Sequence, residues 1–292
     1  YSQPDVPAVH NVRNIKGKLI STLEKTDVSR LKATGWKPPT TFTVKSAQGE
    51  WDLYGLMYTP TEMKPDAKLP VIVYIYPGPQ GGSVGSRSFS SSRRDNQALA
   101  ELGFVVVQLE GSCNPDRSKS FHDACYGNMG ENTLSDQISG LKQLQTKYSF
   151  LDLNNIGIWG HSGGGFATAA AMFKYPDVFK VGISESGNHD NRNYEDDWGE
   201  RYIGLETMDS NGVSNYEKQA NQVFAKDLKG KLLIIHGGMD DNVPPYNSYL
   251  VADALIKANK DFDFLLLPNA RHGYGADSYY IMRRRWDYFV KH

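Results

Sequence analysis

Six short apolar runs set the pattern of this sequence: LPVIVYIY, FVVVQLEG, IGIWG, VFKVGIS, KLLIIHGG and FDFLLLP. Each is stopped by glycine, proline or a polar cluster, and helix-compatible stretches lie between most of them. A strand that is wetted on one face alternates apolar with polar; these runs are mostly continuous in apolar residues, so both of their faces must be covered. A mostly parallel sheet with helices on either side meets that requirement. RRDNQALAELG, the stretch from Thr133 to Tyr148, the alanine-rich stretch Phe166 to Lys174 and YNSYLVADALIKANK read as covering helices. The start Thr133-Leu-Ser-Asp136 resembles a capping box. A last helix, DSYYIMRRRWDYFVKH, is expected to turn Tyr279, Met282, Trp286 and Phe289 to one side. Phe42–Ser46 and Asp52–Tyr58 read as a hairpin around AQGE. Residues 187–228 are polar and aromatic and read as irregular structure over a site.

The first 40 residues follow a different logic. AVHNVRNIKGKLISTLE reads as two strands around a Lys-Gly turn, and a hairpin by itself is marginal in water. The organisation expected is therefore residues 1–40 as the tail of a preceding β domain plus a linker, and residues 41–292 as the catalytic unit. A net charge of −1 gives no reason to expect nucleic acid as a partner, and no apolar run has the length of a membrane span. Cys113 and Cys125 share one loop-like stretch, and their spacing fits a disulfide as well as it fits two free thiols. No metal-ligand pattern of cysteine or histidine is present, so neither metal nor cofactor is expected.

Chemistry concentrates where the third of these runs ends. In IGIWGHSGGGFATAAAM, Ser162 sits among Gly160, Gly163, Gly164 and Gly165, between a strand and a helix. Gly160-His161-Ser162-Gly163-Gly164 fits the G-x-S-x-G nucleophile elbow, which exposes a serine on a sharp turn. The alternative is a flexible glycine loop whose serine merely caps the helix. Position decides between them. In the α/β-hydrolase arrangement an acid and then a histidine follow the serine, each just past a strand end. Asp240 follows KLLIIHGG and His272 follows FDFLLLP, in that order. Asp241 is the competing acid. His236 precedes the acid and reads as structural; His161 adjoins the serine, and its side chain is expected to point away from it. The fold expected is thus the α/β-hydrolase fold, a mostly parallel eight-stranded sheet flanked by helices. For the oxyanion, the Gly163 N–H at the helix start is one donor. Pro77 and Pro79 have no N–H, so a side chain is the attractive second donor, and Tyr76 stands at the strand end; the alternative is an ordinary strand aromatic like Tyr74.

With YPGP, GHSGGG, ERYIGL, HGGMDDNV and RHG in this order, residues 40–292 resemble the catalytic domain of the prolyl oligopeptidase family of serine peptidases, and within it the dipeptidyl peptidase IV-like enzymes. The resemblance implies Ser162 as nucleophile, Asp240 as orienting acid and His272 as base. It implies Tyr194 and Trp198 as walls of a flat apolar pocket for proline or a small residue, Val243 at its border, and Asn242 as a holder of the substrate carbonyl. It also implies a peptide substrate and a β-propeller ahead of residues 1–40 that binds the substrate's free amino terminus. A periplasmic or secreted location is favoured, and a homodimer is compatible. This sequence departs from the family in having His161 and Gly163 where an aromatic residue and a tyrosine are common, and Trp198 where a tyrosine is usual. A carboxylesterase using the same triad, and an inactive binding module, are the competing functional readings.

Overall fold

In the computed structural model, which describes residues 1–85, 87–131 and 133–292, the strands fall into two sheets. β1 (Val9–Arg13) and β2 (Leu19–Lys25) pair antiparallel as a separate ribbon, and every residue of β2 is exposed. The other eight are β3 (Thr40–Lys45), β4 (Asp52–Tyr58), β5 (Leu69–Tyr74), β6 (Val105–Leu109), β7 (Leu151–His161), β8 (Phe179–Glu185), β9 (Lys231–Gly237) and β10 (Asp263–Leu267). They form one sheet in the order β10-β9-β8-β7-β5-β6-β4-β3. From β6 to β10 the neighbours run parallel; β4 is antiparallel to both β6 and β3. This is the α/β-hydrolase sheet the apolar runs imply.

Successive side chains of a strand point to opposite faces, and the two cores divide accordingly. Val71, Val73, Val105, Val107, Ile156, Ile158, Leu232 and Ile234 pack on one face, beneath the helices Leu134–Lys147, Gly163–Lys174 and Tyr246–Lys257. Ile72, Tyr74, Val106, Trp159, Ile183, Leu233 and Ile235 pack on the other, beneath Asn96–Glu101 and Ser278–Lys291. Each such side chain, fully buried, contributes about 1.5–3 kcal/mol, which is why unbroken apolar strands imply helices on both sides.

Two local expectations are corrected. Thr133 does not cap the helix Leu134–Lys147: its φ is +62° and its side chain makes no cap bond. The Glu131 carboxylate accepts from Leu134 N–H (3.1 Å) and Ser135 N–H (2.9 Å) instead. Asp136 points inward and accepts from Ala47 N–H and from both N–H and hydroxyl of Ser112. In the last helix the buried residues are Ile281, Arg285, Tyr288 and Phe289, while Tyr279 is 80% exposed. The buried stripe is rotated because Arg285 enters the interior, where it meets Glu185 (2.8 Å) and Asp95 (2.6 Å) and lies 3.5 Å from the Trp159 ring centroid. Trp286 Nε1–H donates to the same Asp95 oxygen at 2.8 Å.

Cys113 and Cys125 are joined as a disulfide, Cα atoms 5.8 Å apart. It packs with Met129, Ile203 and Tyr216 against Trp198 and Tyr202.

His189 lies just past β8, wholly buried, and accepts from Asn221 Nδ2 at Nδ1 (3.0 Å). Burial first, and then the nearness of His236, lower its pKa from 6.5 to about 3. Between those values the unfolded chain binds a proton that the folded chain refuses. This contribution is fully present above pH 6.5 and is lost as pH falls toward 3, by up to about 1.4 kcal/mol per pH unit. His189→Gln is expected to flatten that slope, read from urea unfolding at neutral and mildly acidic pH; an unchanged slope would show that other groups set it.

Candidate active site

The parallel strands deliver three loops to one edge of the sheet. β7 ends at His161, and Ser162 then takes φ +60° and ψ −123°, a conformation L-residues rarely adopt, before the helix Gly163–Lys174 starts. Ser162 N–H donates to the Glu185 carbonyl at the end of β8 (2.8 Å), and Phe166 N–H donates to the Ser162 carbonyl (3.0 Å). The turn is tight enough that glycine is a steric requirement beside it. A Cβ on Gly160 or Gly164 would press into the Ile75 carbonyl, and one on Gly165 into that of Glu185. Gly163 differs, since a Cβ there would meet nothing nearer than Gln80 Nε2 at 3.7 Å.

Asp240 follows β9 and His272 follows β10, and the two meet: His272 Nδ1 donates to Asp240 Oδ2 at 2.7 Å. The other oxygen, Oδ1, accepts from Asn242 N–H (3.1 Å) and Val243 N–H (2.9 Å). Burial opposes ionisation of Asp240, but hydrogen bonds from His236, His272 and the Val243 N–H, with the His272 charge, outweigh it and hold the carboxyl below the usual range. Asp241 turns outward to Arg271, so the two adjacent acids have different partners. His236 is fully buried, with Nε2 3.0 Å from the Val243 carbonyl and Nδ1 2.7 Å from the Ser248 hydroxyl. The same Nε2 stands 3.4 Å from Asp240 Oδ2, so it braces the acid from below.

His161 departs from expectation. Its ring does not turn away from the site but lies 4.6 Å from the His272 ring and 5.2 Å from that of Tyr274, centroid to centroid. The last side chain of β7 stands at the edge where the His272 loop arrives, and Glu185 of the neighbouring strand lies 3.8 Å from its Nδ1. The Ser162 hydroxyl makes no hydrogen bond to any described residue. Such contacts are commonly long in free enzymes and tighten when substrate binds.

Tyr76, two residues past β5, is partly buried; its N–H donates to Ser83 Oγ at 2.9 Å. Tyr194, Trp198 and Tyr202 form an edge-to-face ladder with centroids 5.8 and 5.3 Å apart. Burial first, then Glu195 and Tyr76, hold the Tyr194 phenol above its usual pKa. A narrow cleft opens against Gly163, between Gln80, Met129, Asn188, Asn191 and Trp198. Val243 does not line it, being wholly buried, and Asn242 is exposed beside it in sequence. Asn188 and Asn191 escaped the sequence reading. Their only signal is the polar stretch GNHDN directly after β8, which places them past a strand end.

Among the described residues no group of histidine, cysteine, aspartate and glutamate is arranged to hold a metal ion, and no helix is long and apolar enough to cross a membrane.

The chain has relatives among known proteins. The family model Peptidase_S9, the prolyl oligopeptidase family, matches residues 88–292. Dipeptidyl peptidase 8 of Homo sapiens is 32% identical over 241 residues, covering 81% of this chain and 26% of that protein. Prolyl endopeptidase FAP of Homo sapiens is 28% identical over 243 residues, covering 83% and 31%. The crystal structure of Porphyromonas gingivalis dipeptidyl peptidase 4 superposes with a TM-score of 0.86 at 27% identity, covering all of this chain and 41% of that one. The chain thus spans between a quarter and a third of the length of these curated relatives.

Proposed function

The chain belongs to the prolyl oligopeptidase family of serine peptidases, and from that premise we propose that Ser162, Asp240 and His272 are its nucleophile, orienting acid and general base. On this reading it hydrolyses short peptides in the manner of a dipeptidyl peptidase, after proline or a small residue, as the catalytic part of a longer protein in which a β-propeller precedes residues 1–40. The observation that carries it is the 2.7 Å contact of His272 Nδ1 with Asp240 beside the positive-φ serine.

The chemistry follows from these contacts. Asp240 accepts the Nδ1 proton and so leaves His272 Nε2 with its lone pair free. Nε2 takes the Ser162 proton as Oγ attacks the scissile carbonyl. The imidazolium then gives that proton to the departing amine, and an acyl-enzyme remains. Water, deprotonated by the same Nε2, releases the acid and restores the serine. The oxyanion of each tetrahedral intermediate is met by the Gly163 N–H and the Tyr76 hydroxyl.

Tyr76→Phe removes one oxyanion donor. It is expected to raise the barrier by about 3 kcal/mol, roughly a hundredfold in kcat, with KM little changed. A KM effect alone would make Tyr76 a binding residue.

The test of the whole reading uses the full-length parent protein with a Ser162→Ala control. Three substrates are compared: a free-amine Xaa-Pro anilide, the same compound with its amine blocked, and a simple acyl ester. Cleavage of the free-amine anilide alone supports a dipeptidyl peptidase. Equal cleavage of the blocked compound makes the enzyme an oligopeptidase. Turnover of the ester alone would sink the peptidase reading.

A further inference from the structure

The cleft against Gly163 has apolar walls, Pro77, Met129, Phe166 and Trp198, with two asparagines set among them. Asn188 and Asn191 are 5% and 6% exposed, and they bond to each other, Asn188 Nδ2 donating to Asn191 Oδ1 at 2.7 Å. That bond uses one donor and one acceptor of the pair. Asn188 Oδ1 and Asn191 Nδ2 have no partner among the described residues, and both residues line the cleft. If both amides are rotated, the free atoms become Asn188 Nδ2 and Asn191 Oδ1. One donor and one acceptor of the pair are left without a partner in either orientation. Gln80 adds a third amide at the mouth.

Its location ties the cleft to the reacting bond. Gly163 carries the N–H assigned to the oxyanion, so a side chain on the carbon next to the attacked carbonyl enters here. The space is small, about 10 Å³, room for one water molecule. A proline ring would overfill it and would leave both asparagine atoms dry and unbonded. Sites built to hydrogen-bond a substrate discriminate strongly against analogues that lack the polar group.

We propose that this cleft selects, at the residue donating the scissile carbonyl, a small side chain that both gives and accepts a hydrogen bond, with serine the fit, in preference to proline. The hydroxyl donates to Asn188 Oδ1 and accepts from Asn191 Nδ2, occupying the space of a single water. Met129 and Trp198 then pack against the methylene. This rests on the peptidase reading given above and names its substrate class.

The experiment takes the full-length parent protein and measures kcat/KM for free-amine Ala-Xaa anilides with Xaa serine, asparagine, alanine and proline. Labelling by a fluorophosphonate is followed in parallel. Serine is expected to exceed alanine by roughly tenfold or more, and proline by a larger factor. Asparagine above serine would overturn the inference, since its side chain is no smaller than the proline ring. In Asn188→Leu, of similar volume, the serine-over-alanine ratio is expected to fall to about one while labelling of Ser162 persists. Should that variant fail to fold, Asn191→Ser gives the same reading, and the wild-type ranking decides by itself. Labelling at Ser162 with proline, alanine or asparagine preferred over serine would overturn this inference and leave the peptidase reading standing. Absence of both labelling and turnover would overturn both.

Discussion

Ser162→Ala is expected to lower kcat for peptide hydrolysis by roughly a millionfold, and Asp240→Asn by roughly ten thousandfold, with folding intact in both. The first removes the attacking oxygen, so what survives is the contribution of the oxyanion donors and of binding. The second is more informative. Asparagine keeps an oxygen for the Asn242 and Val243 N–H groups, so the loop persists. Toward His272, however, it presents an NH₂ where Oδ2 accepted at 2.7 Å. The imidazole then accepts at Nδ1 and carries its proton on Nε2, where it cannot take one from serine. KM should move little, because no substrate contact is lost. Steady-state kinetics beside a thermal melt of each variant provides the check. Asp241→Asn, whose parent residue pairs outward with Arg271, should be nearly silent. If Asp241→Asn were the crippled variant and Asp240→Asn the active one, the assignment would be reversed.

The second large effect is on stability. Arg285→Leu is expected to cost about 3–5 kcal/mol, because it leaves Glu185 and Asp95 buried without their cation. Burial works against the charge on Arg285, and the two carboxylates outweigh it, raising its pKa. For Glu185 burial is likewise the largest effect, and the guanidinium overrides it to keep the carboxyl ionised. Removing the arginine leaves burial opposed at Glu185 by His161 alone. Urea unfolding should show the loss. A variant that also carries Glu185→Gln and Asp95→Asn should recover much of it, since neutral amides are far cheaper to bury. Because the Glu185 carbonyl accepts the Ser162 N–H, the single variant should also lose activity. A single variant as stable as the parent would show that water reaches the carboxylates.

The large sheet and the order of Ser162, Asp240 and His272 along it were legible because both depend on patterns within the chain. Apolar runs declare buried strands, and residues just past a strand end share one edge. The Arg285 cluster was hidden, since a helical pattern counts arginine as polar and its partners lie 100 and 190 residues away. The same blindness rotated the expected face of the last helix. The cap at Leu134 went to Glu131 rather than Thr133 because Asp136 was drawn inward by Ser112 and Ala47, contacts with no local trace. His161 and the two asparagines show a third limit. Which way a side chain points from an irregular loop depends on neighbouring strands, and a single sequence does not state it.

The four glycines of the elbow are unequal, and an engineer would treat them so. Randomising positions 160, 164 or 165 would return mostly misfolded protein, because backbone carbonyls already fill the space. Position 163 has open space on its side-chain bearing, and that space borders the cleft. It is the one site in the turn where a library would reshape substrate choice while sparing the fold.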